Sequence, residues 1–163
     1  MIRLAQTEDI PRLLEIYTAA KAFMRQNGNL HQWNNNYPAR KDLEQDISAR
    51  QLYVAQTQTG RLWGCFMLTA GPDPTYTVIY DGQWAQNTPY GVLHRIASDG
   101  SQKGLVCACI NFASRKFPYL RIDTHADNLP MQRALVKEGF HYRGTIIAGD
   151  GTPRLAYDRI LTQ

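Results

Sequence analysis

The segment Ser98-Asp99-Gly100-Ser101-Gln102-Lys103-Gly104 joins strand-forming residues that end at Ala97 to a helix that begins near Lys103. Its small residues permit a sharp turn with amide N–H groups facing outward at a helix N-terminus, where the helix dipole is positive. Such a nest binds phosphate, and Lys103 adds formal charge. The segment lacks the Gly-Lys-Ser/Thr of a P-loop and the Gly-x-Gly-x-x-Gly fingerprint, so an ordinary helix-start turn stays open beside a phosphate site. Upstream, His94 stands two residues before Ile96, and strand periodicity puts both side chains on one face, with Arg95 on the other. An imidazole there could move a proton near neutral pH or touch a substrate; packed in a sheet, it would be satisfied by a neighbour instead. Asp123 and His125 alternate at a later strand end and could form a proton relay or bond the loop backbone. His141 reads as a surface residue.

Large aromatics gather outside the periodic segments. His31, Trp33 and Tyr37 fall in the loop from Leu30 to Pro38, and Trp84 and Tyr90 in the connection from Asp81 to Tyr90. They could wall a pocket or anchor loops over the core. Cys65, Cys107 and Cys109 show no zinc spacing; the last two would point about 200° apart on a helix. Buried free thiols in a reducing compartment are the reading. With no Gly-x-Ser-x-Gly elbow, a Ser-His-Asp hydrolase has no support.

These residues need elements to position them. Ile2–Ala5 reads as a strand, followed by helix-start chemistry at Thr7-Glu8-Asp9. One helix then carries Ile10, Leu13, Leu14, Tyr17 and Met24 on a single face and ends at Asn27-Gly28-Asn29. A second helix spans Ala39–Arg50. Leu52–Ala55 and Leu62–Leu68 are strands joined by a hairpin turn at Thr57–Gly60. The β-branched and aromatic run Thr75–Tyr80 predicts a strand, as do Gly91–Ala97 and Tyr119–Thr124. Between the last two lies a helix with Leu105, Cys109 and Phe112 on one face. A helix over Leu129–Glu138, capped by Asp127 or Asn128 and closed by Gly139, precedes an antiparallel pair, Phe140–Ile147 with Arg154–Ile160. Apart from the Thr75–Tyr80 run, the main elements run βααβββαβαββ, an α/β (α+β) layout with one parallel crossover and helices on both faces of a central sheet.

At 163 residues the chain predicts one domain, residues 1–163, with no linker or internal repeat. Its 44% hydrophobic and 20% charged content excludes a disordered, collagen-like or coiled-coil protein. No apolar run reaches the ~20 residues needed to cross a bilayer, and Met1-Ile2-Arg3-Leu4 lacks a signal-peptide core. A soluble, cytoplasmic protein with no membrane contact is expected. The net charge of +4 comes from scattered residues, not the stripe or arm of a nucleic-acid binder, so no nucleic-acid partner is expected.

Five motifs occur in a telling order: Leu93-His94-Arg95-Ile96-Ala97; Gly104-Leu105-Val106; Leu120-Arg121-Ile122-Asp123-Thr124-His125; Asp127-Asn128-Leu129-Pro130-Met131-Gln132; and Lys137-Glu138-Gly139-Phe140. The closing Gly151–Tyr157 is similar to the tail of many bacterial relatives. In these the sequence resembles, across nearly its whole length, the GNAT superfamily of acyl-CoA-dependent N-acetyltransferases. The resemblance implies a GNAT-type mixed sheet and transfer of an acetyl group from acetyl-CoA to a primary amine of a small molecule or peptide by direct attack. It also implies that Arg95, Ile96 and Ala97 run beside the pantetheine arm of coenzyme A, with an amide near Ile96 polarising the thioester carbonyl. Amides from Gln102, Lys103, Gly104, Leu105 and Val106 would hold the pyrophosphate. Asn128, which also reads as an N-cap, would reach the cofactor amides, and Met131 would pack beside the arm. His94 would be the catalytic base, His31, Trp33 and Tyr37 would border the acceptor, and Trp84 and Tyr90 would close the opposite wall.

The chain departs from that pattern. Ser101 stands where the family usually has Gln or Arg, Val106 where it has Gly or Ala, and Leu135 where it has a thiol-protonating Tyr. These departures keep a second reading open, a catalytically silent acyl-CoA sensor or binding module. Exposed final strands offer a surface for a homodimer.

Overall fold

The computed structural model describes residues 1–34 and 36–161; Asn35, inside the loop read at 30–38, and Thr162 and Gln163 lie outside the described residues. β1 (Ile2–Leu4) leads through a 3₁₀ turn at Thr7–Asp9 into α1 (Ile10–Gln26). Pro11 sits in the first turn of α1, where a missing N–H costs nothing. Ile10, Leu13, Ile16, Tyr17, Ala20 and Met24 form its buried side, the stripe that three-and-four spacing produces. α2 (Arg40–Ser48) starts where the Asp42 carboxylate accepts the Ala39 N–H at 2.7 Å. β2 (Leu52–Gln56) and β3 (Leu62–Ala70) form the expected hairpin. Then follow β4 (Gly91–Ser98), α3 (Leu105–Ser114), β5 (Tyr119–Thr124), α4 (Leu129–Lys137), β6 (His141–Ile147) and β7 (Pro153–Ile160).

All seven strands join one sheet in the order β1-β2-β3-β4-β5-β7-β6. Neighbours are antiparallel except β4 and β5, which the α3 crossover makes parallel. α3 and α4 cover one face, where Leu105, Cys109, Ile110 and Leu135 pack on Phe66, Leu68, Leu93, Ile96, Leu120 and Ile122. α1 and α2 cover the other face over β2 and β3. Beside β5 and β7 that second face is filled by aromatics of the β3–β4 connection: Tyr76 and Tyr90 pack with Val92, Tyr119, Ile146 and Ala156, and Trp84 packs against them. This is the mixed sheet with helices on both faces that the element order predicts.

One expected strand is absent. Thr75–Tyr80 holds a 3₁₀ turn at Pro74–Tyr76 and then irregular chain as far as Tyr80, which makes a single bridge to Thr145. The Asp73 carboxylate accepts the Thr75 N–H at 2.9 Å and starts the turn, and β7 already occupies the edge of β5. The β-branched and aromatic residues here serve packing instead of pairing. Cys65 and Cys109 are buried free thiols, whereas Cys107 is half-buried. Burial pushes the Cys65 thiol up to about 12. Among the described residues no helix is long and apolar enough to cross a membrane.

Candidate active site

β4 and β5 start together and then part. Gly91 pairs with Leu120 and Val92 with Arg121, and there the pairing stops, although β4 continues to Ser98 and β5 to Thr124. The cause lies in β4. Met67 of β3 faces His94 and Cys65 faces Ala97, so Arg95 and Ile96 together oppose one residue, a β-bulge that bends the strand. Arg95 takes φ +50, a left-handed conformation that costs an L side chain about 1–2 kcal/mol. The surroundings hold it there. The Arg95 guanidinium meets Asp46 of α2 at 2.7 Å, lies 5.2 Å from the Tyr37 ring centre, and Tyr17 donates to the Arg95 carbonyl at 3.4 Å. The bulge also overturns the expected facing. His94 and Arg95 both emerge on the α1 side, while Ile96 packs with Leu93 under α3. Strand periodicity fails here because the extra residue moves the chain half a pleat.

The gap between the strands opens into a cavity of about 510 Å³ that takes Leu93, His94, Arg95 and Ile96 from β4 and Ile122, Asp123 and Thr124 from β5. At the C-terminal end of β4 the chain enters the turn Ser98–Gly104. Among the described residues, the N–H groups of Gln102, Lys103, Gly104, Leu105 and Val106 donate to no protein acceptor, the expected condition of a first helical turn. Gly104 has φ +88, the space a Cβ would enter there is open, and Gln102, Lys103 and Gly104 are exposed. Asp99 fixes the turn: it accepts the Ser101 N–H (2.8 Å) and hydroxyl (2.6 Å), and meets Arg12 (2.5 Å) and Arg61 (3.2 Å). Burial alone would raise the Asp99 carboxyl, but the Ser101 hydrogen bonds and the two arginines outweigh it and hold it low. Arg61 also donates to the Ser101 hydroxyl at 2.8 Å, placing a guanidinium beside the residue that departs from the family pattern.

On the α1 side of the gap, His94 sits between two carboxylates. Its Nε2 lies 2.9 Å from Asp73 Oδ2 and its Nδ1 3.8 Å from Asp123 Oδ2. Burial would raise Asp73, but hydrogen bonds from His94 and Thr75 prevail and bring it down to about 2. Asp73 is therefore a carboxylate at neutral pH and an acceptor for a hydrogen bond from His94 Nε2; in the neutral tautomer that makes this bond the lone pair is on Nδ1. Tyr76 donates to Asp123 Oδ2 at 2.7 Å. Burial and the Asp123 charge push the Tyr76 phenol far above its ordinary range, so it stays a donor. Tyr90 accepts the Asp73 N–H at 3.0 Å. Burial and then the Arg154 charge lower His125; its Nδ1 accepts the Asp127 N–H at 3.0 Å. His125 thus bonds the loop backbone and makes no relay with Asp123.

The cavity gathers His31, Trp33, Tyr37, His94, Arg95, Ile96, Asn128 and Met131. Asn128 caps α4 through the Met131 N–H (3.2 Å) and donates to Gln32 at 2.9 Å. Trp84 and Tyr90 are not in its lining. They clamp the buried Arg121 guanidinium, at 4.3 and 3.9 Å from their ring centres, and so anchor the β3–β4 connection over the core; the pocket-wall expectation fails for both. The Ala97 side chain packs under α1 and that of Leu105 under α3, which leaves only their backbone to the site. Leu135 is fully buried in the core. Asp73, Thr75, Gln32 and Thr124 also line the cavity, and sequence reasoning missed them. Asp73 hides in the turn Gly71-Pro72-Asp73-Pro74, where an Asp is expected for turn chemistry alone.

No family profile matches the chain, and no curated protein does. Solved structures do. A GNAT-family acetyltransferase from Streptococcus agalactiae is 30% identical at TM-score 0.87, with 100% of this chain and 96% of that chain covered. A ribosomal-protein-alanine N-acetyltransferase from Brucella melitensis is 21% identical at TM-score 0.65, covering 99% of each chain. An aminoglycoside acetyltransferase in complex with coenzyme A and kanamycin is 20% identical at TM-score 0.66, over 98% of this chain and 94% of that one. The last two share its fold.

Proposed function

This chain belongs to the GNAT family of acetyltransferases, and we propose that it moves the acetyl group of acetyl-CoA to a primary amine of a small molecule or peptide by direct attack. The observation that carries this reading is the opening of β4 from β5 just past Val92 and Arg121, with free amides at one end and His94 at the other. The open N–H groups of residues 102–106 fit a pyrophosphate, and the unpaired edge of β4 beyond Val92 fits an amide-bearing arm. When bound, acetyl-CoA supplies an acyl carbon activated as a thioester.

The chain's own groups would do the rest. Asp73 and Asp123 draw a cationic amine to the α1 side of the gap. The ammonium gives its first proton to solvent, and Asp73 keeps the Nε2 proton of His94 in place, so that Nδ1 accepts the second proton, the one the neutral amine sheds as the C–N bond forms. An N–H near Ile96 would stabilise negative charge on the acyl oxygen, a role worth about 3–4 kcal/mol in other enzymes. Trp33 and Tyr37 give the acceptor an apolar wall.

A thiol-release assay with acetyl-CoA over a panel of amines tests the reading, alongside thermal melts. Acetyl-CoA should raise the melting temperature, and Gly104→Glu, which places a carboxylate among the open amides, should abolish the rise. Binding without turnover on any amine would favour the silent sensor. No shift at millimolar acetyl-CoA would sink both readings.

A further inference from the structure

Three hydroxyl side chains line the cavity among the described residues: Tyr37, Thr75 and Thr124. Thr75 donates to Asp73 at 2.7 Å, and the Tyr37 ring lies against Arg95 on the acceptor side. Thr124 differs. It is fully buried, and its Oγ1 bonds nothing in the protein, an uncommon and costly condition for a native hydroxyl. β5 pairs with β7 without a register shift, so its alternation holds: Asp123 faces the acceptor side and Thr124 the α4 side, with Ile122. Carrying the Val92–Arg121 register forward brings Thr124 level with Arg95, at the bulge where the strands have parted.

We propose that Thr124 is a catalytic residue whose hydroxyl donates a hydrogen bond to the sulfur of coenzyme A and stabilises it as the leaving thiolate. The assignment rests on the acetyl-transfer reading. As the C–N bond forms and the C–S bond breaks, the sulfur keeps the electron pair. The amine proton passes to His94 Nδ1, and Thr124 retains its own proton in the hydrogen bond.

The test uses Thr124→Val, which is nearly isosteric, and Thr124→Ser, which keeps the hydroxyl. Because the lost hydroxyl bonds no protein group, the valine variant should melt no lower than the parent without ligand. Bound coenzyme A is titrated through the ultraviolet absorbance of its thiolate. In Thr124→Val the thiol should ionise about one pH unit higher than in the parent, the effect of one hydrogen bond to a charged group. Its kcat should fall about tenfold while coenzyme A affinity stays within about threefold, and Thr124→Ser should restore both the titration and kcat. An unchanged thiol titration, or a loss confined to affinity, overturns the assignment and leaves acetyl transfer standing. Failure of the parent chain to bind coenzyme A overturns the acetyl-transfer reading, and the assignment with it.

Discussion

Asp73→Asn removes the charge that holds His94 in register while keeping the size of the side chain. The Asp73 carboxyl stands at about 2 in the folded protein against an ordinary value of 3.8. Nearly two pKa units at 1.36 kcal/mol each correspond to about 2.5 kcal/mol of folding stability. The sign follows from proton linkage. A carboxyl depressed on folding contributes its full share above the unfolded value, loses it as pH falls from about 4 through about 2, and contributes nothing below both. Urea unfolding of the parent and Asp73→Asn should therefore differ most at pH 5–7, and the difference should shrink by about 2 kcal/mol as pH drops to 2. The same substitution frees the imidazole to take the wrong tautomer, so kcat should fall at least a hundredfold, in line with a comparable dyad elsewhere. A stability difference that stays flat from pH 7 to pH 2 would refute the account of Asp73 as a carboxylate held low by its hydrogen bonds. An unchanged kcat would refute its role behind His94.

Asp46→Asn leaves the Arg95 guanidinium without its anion at 2.7 Å in a largely buried site; unfolding experiments should show a loss of about 3 kcal/mol. Reduced acetyl-CoA affinity should accompany that loss, because this pair holds the bulge that parts β4 from β5. Trp84→Ala should cost about 3 kcal/mol in chemical denaturation by unstacking Arg121 and emptying core volume, with acceptor KM nearly unchanged in the folded variant. Trp33→Ala should raise acceptor KM severalfold, and should also lower the melting temperature, because Trp33 packs edge-on against the buried Tyr17.

Much of this molecule was legible residue by residue. Apolar spacing gave α1 its face, the Thr57–Gly60 turn set the β2–β3 hairpin, and small residues after Ala97 marked the open amides, because helix periods, tight turns and first-turn N–H groups are local properties of the chain. Thr75–Tyr80 misled for the reverse reason: strand propensity needs a free sheet edge, and β7 had taken the one beside β5. The bulge at Arg95 was equally hidden, since the ion pair with Asp46 and the hydrogen bond from Tyr17 that sustain it come from distant helices.

The order of elements, the parallel crossover and the position of the turn after β4 were thus determined by sequence alone, through interactions that span a few residues. Only the tertiary structure decided which groups stand around His94. Asp73 lies 21 residues away along the chain, and Tyr76 reaches Asp123 across 47. No local pattern encodes such pairs, because they exist only once burial has closed the β3–β4 connection over the sheet and made each buried charge find its partner.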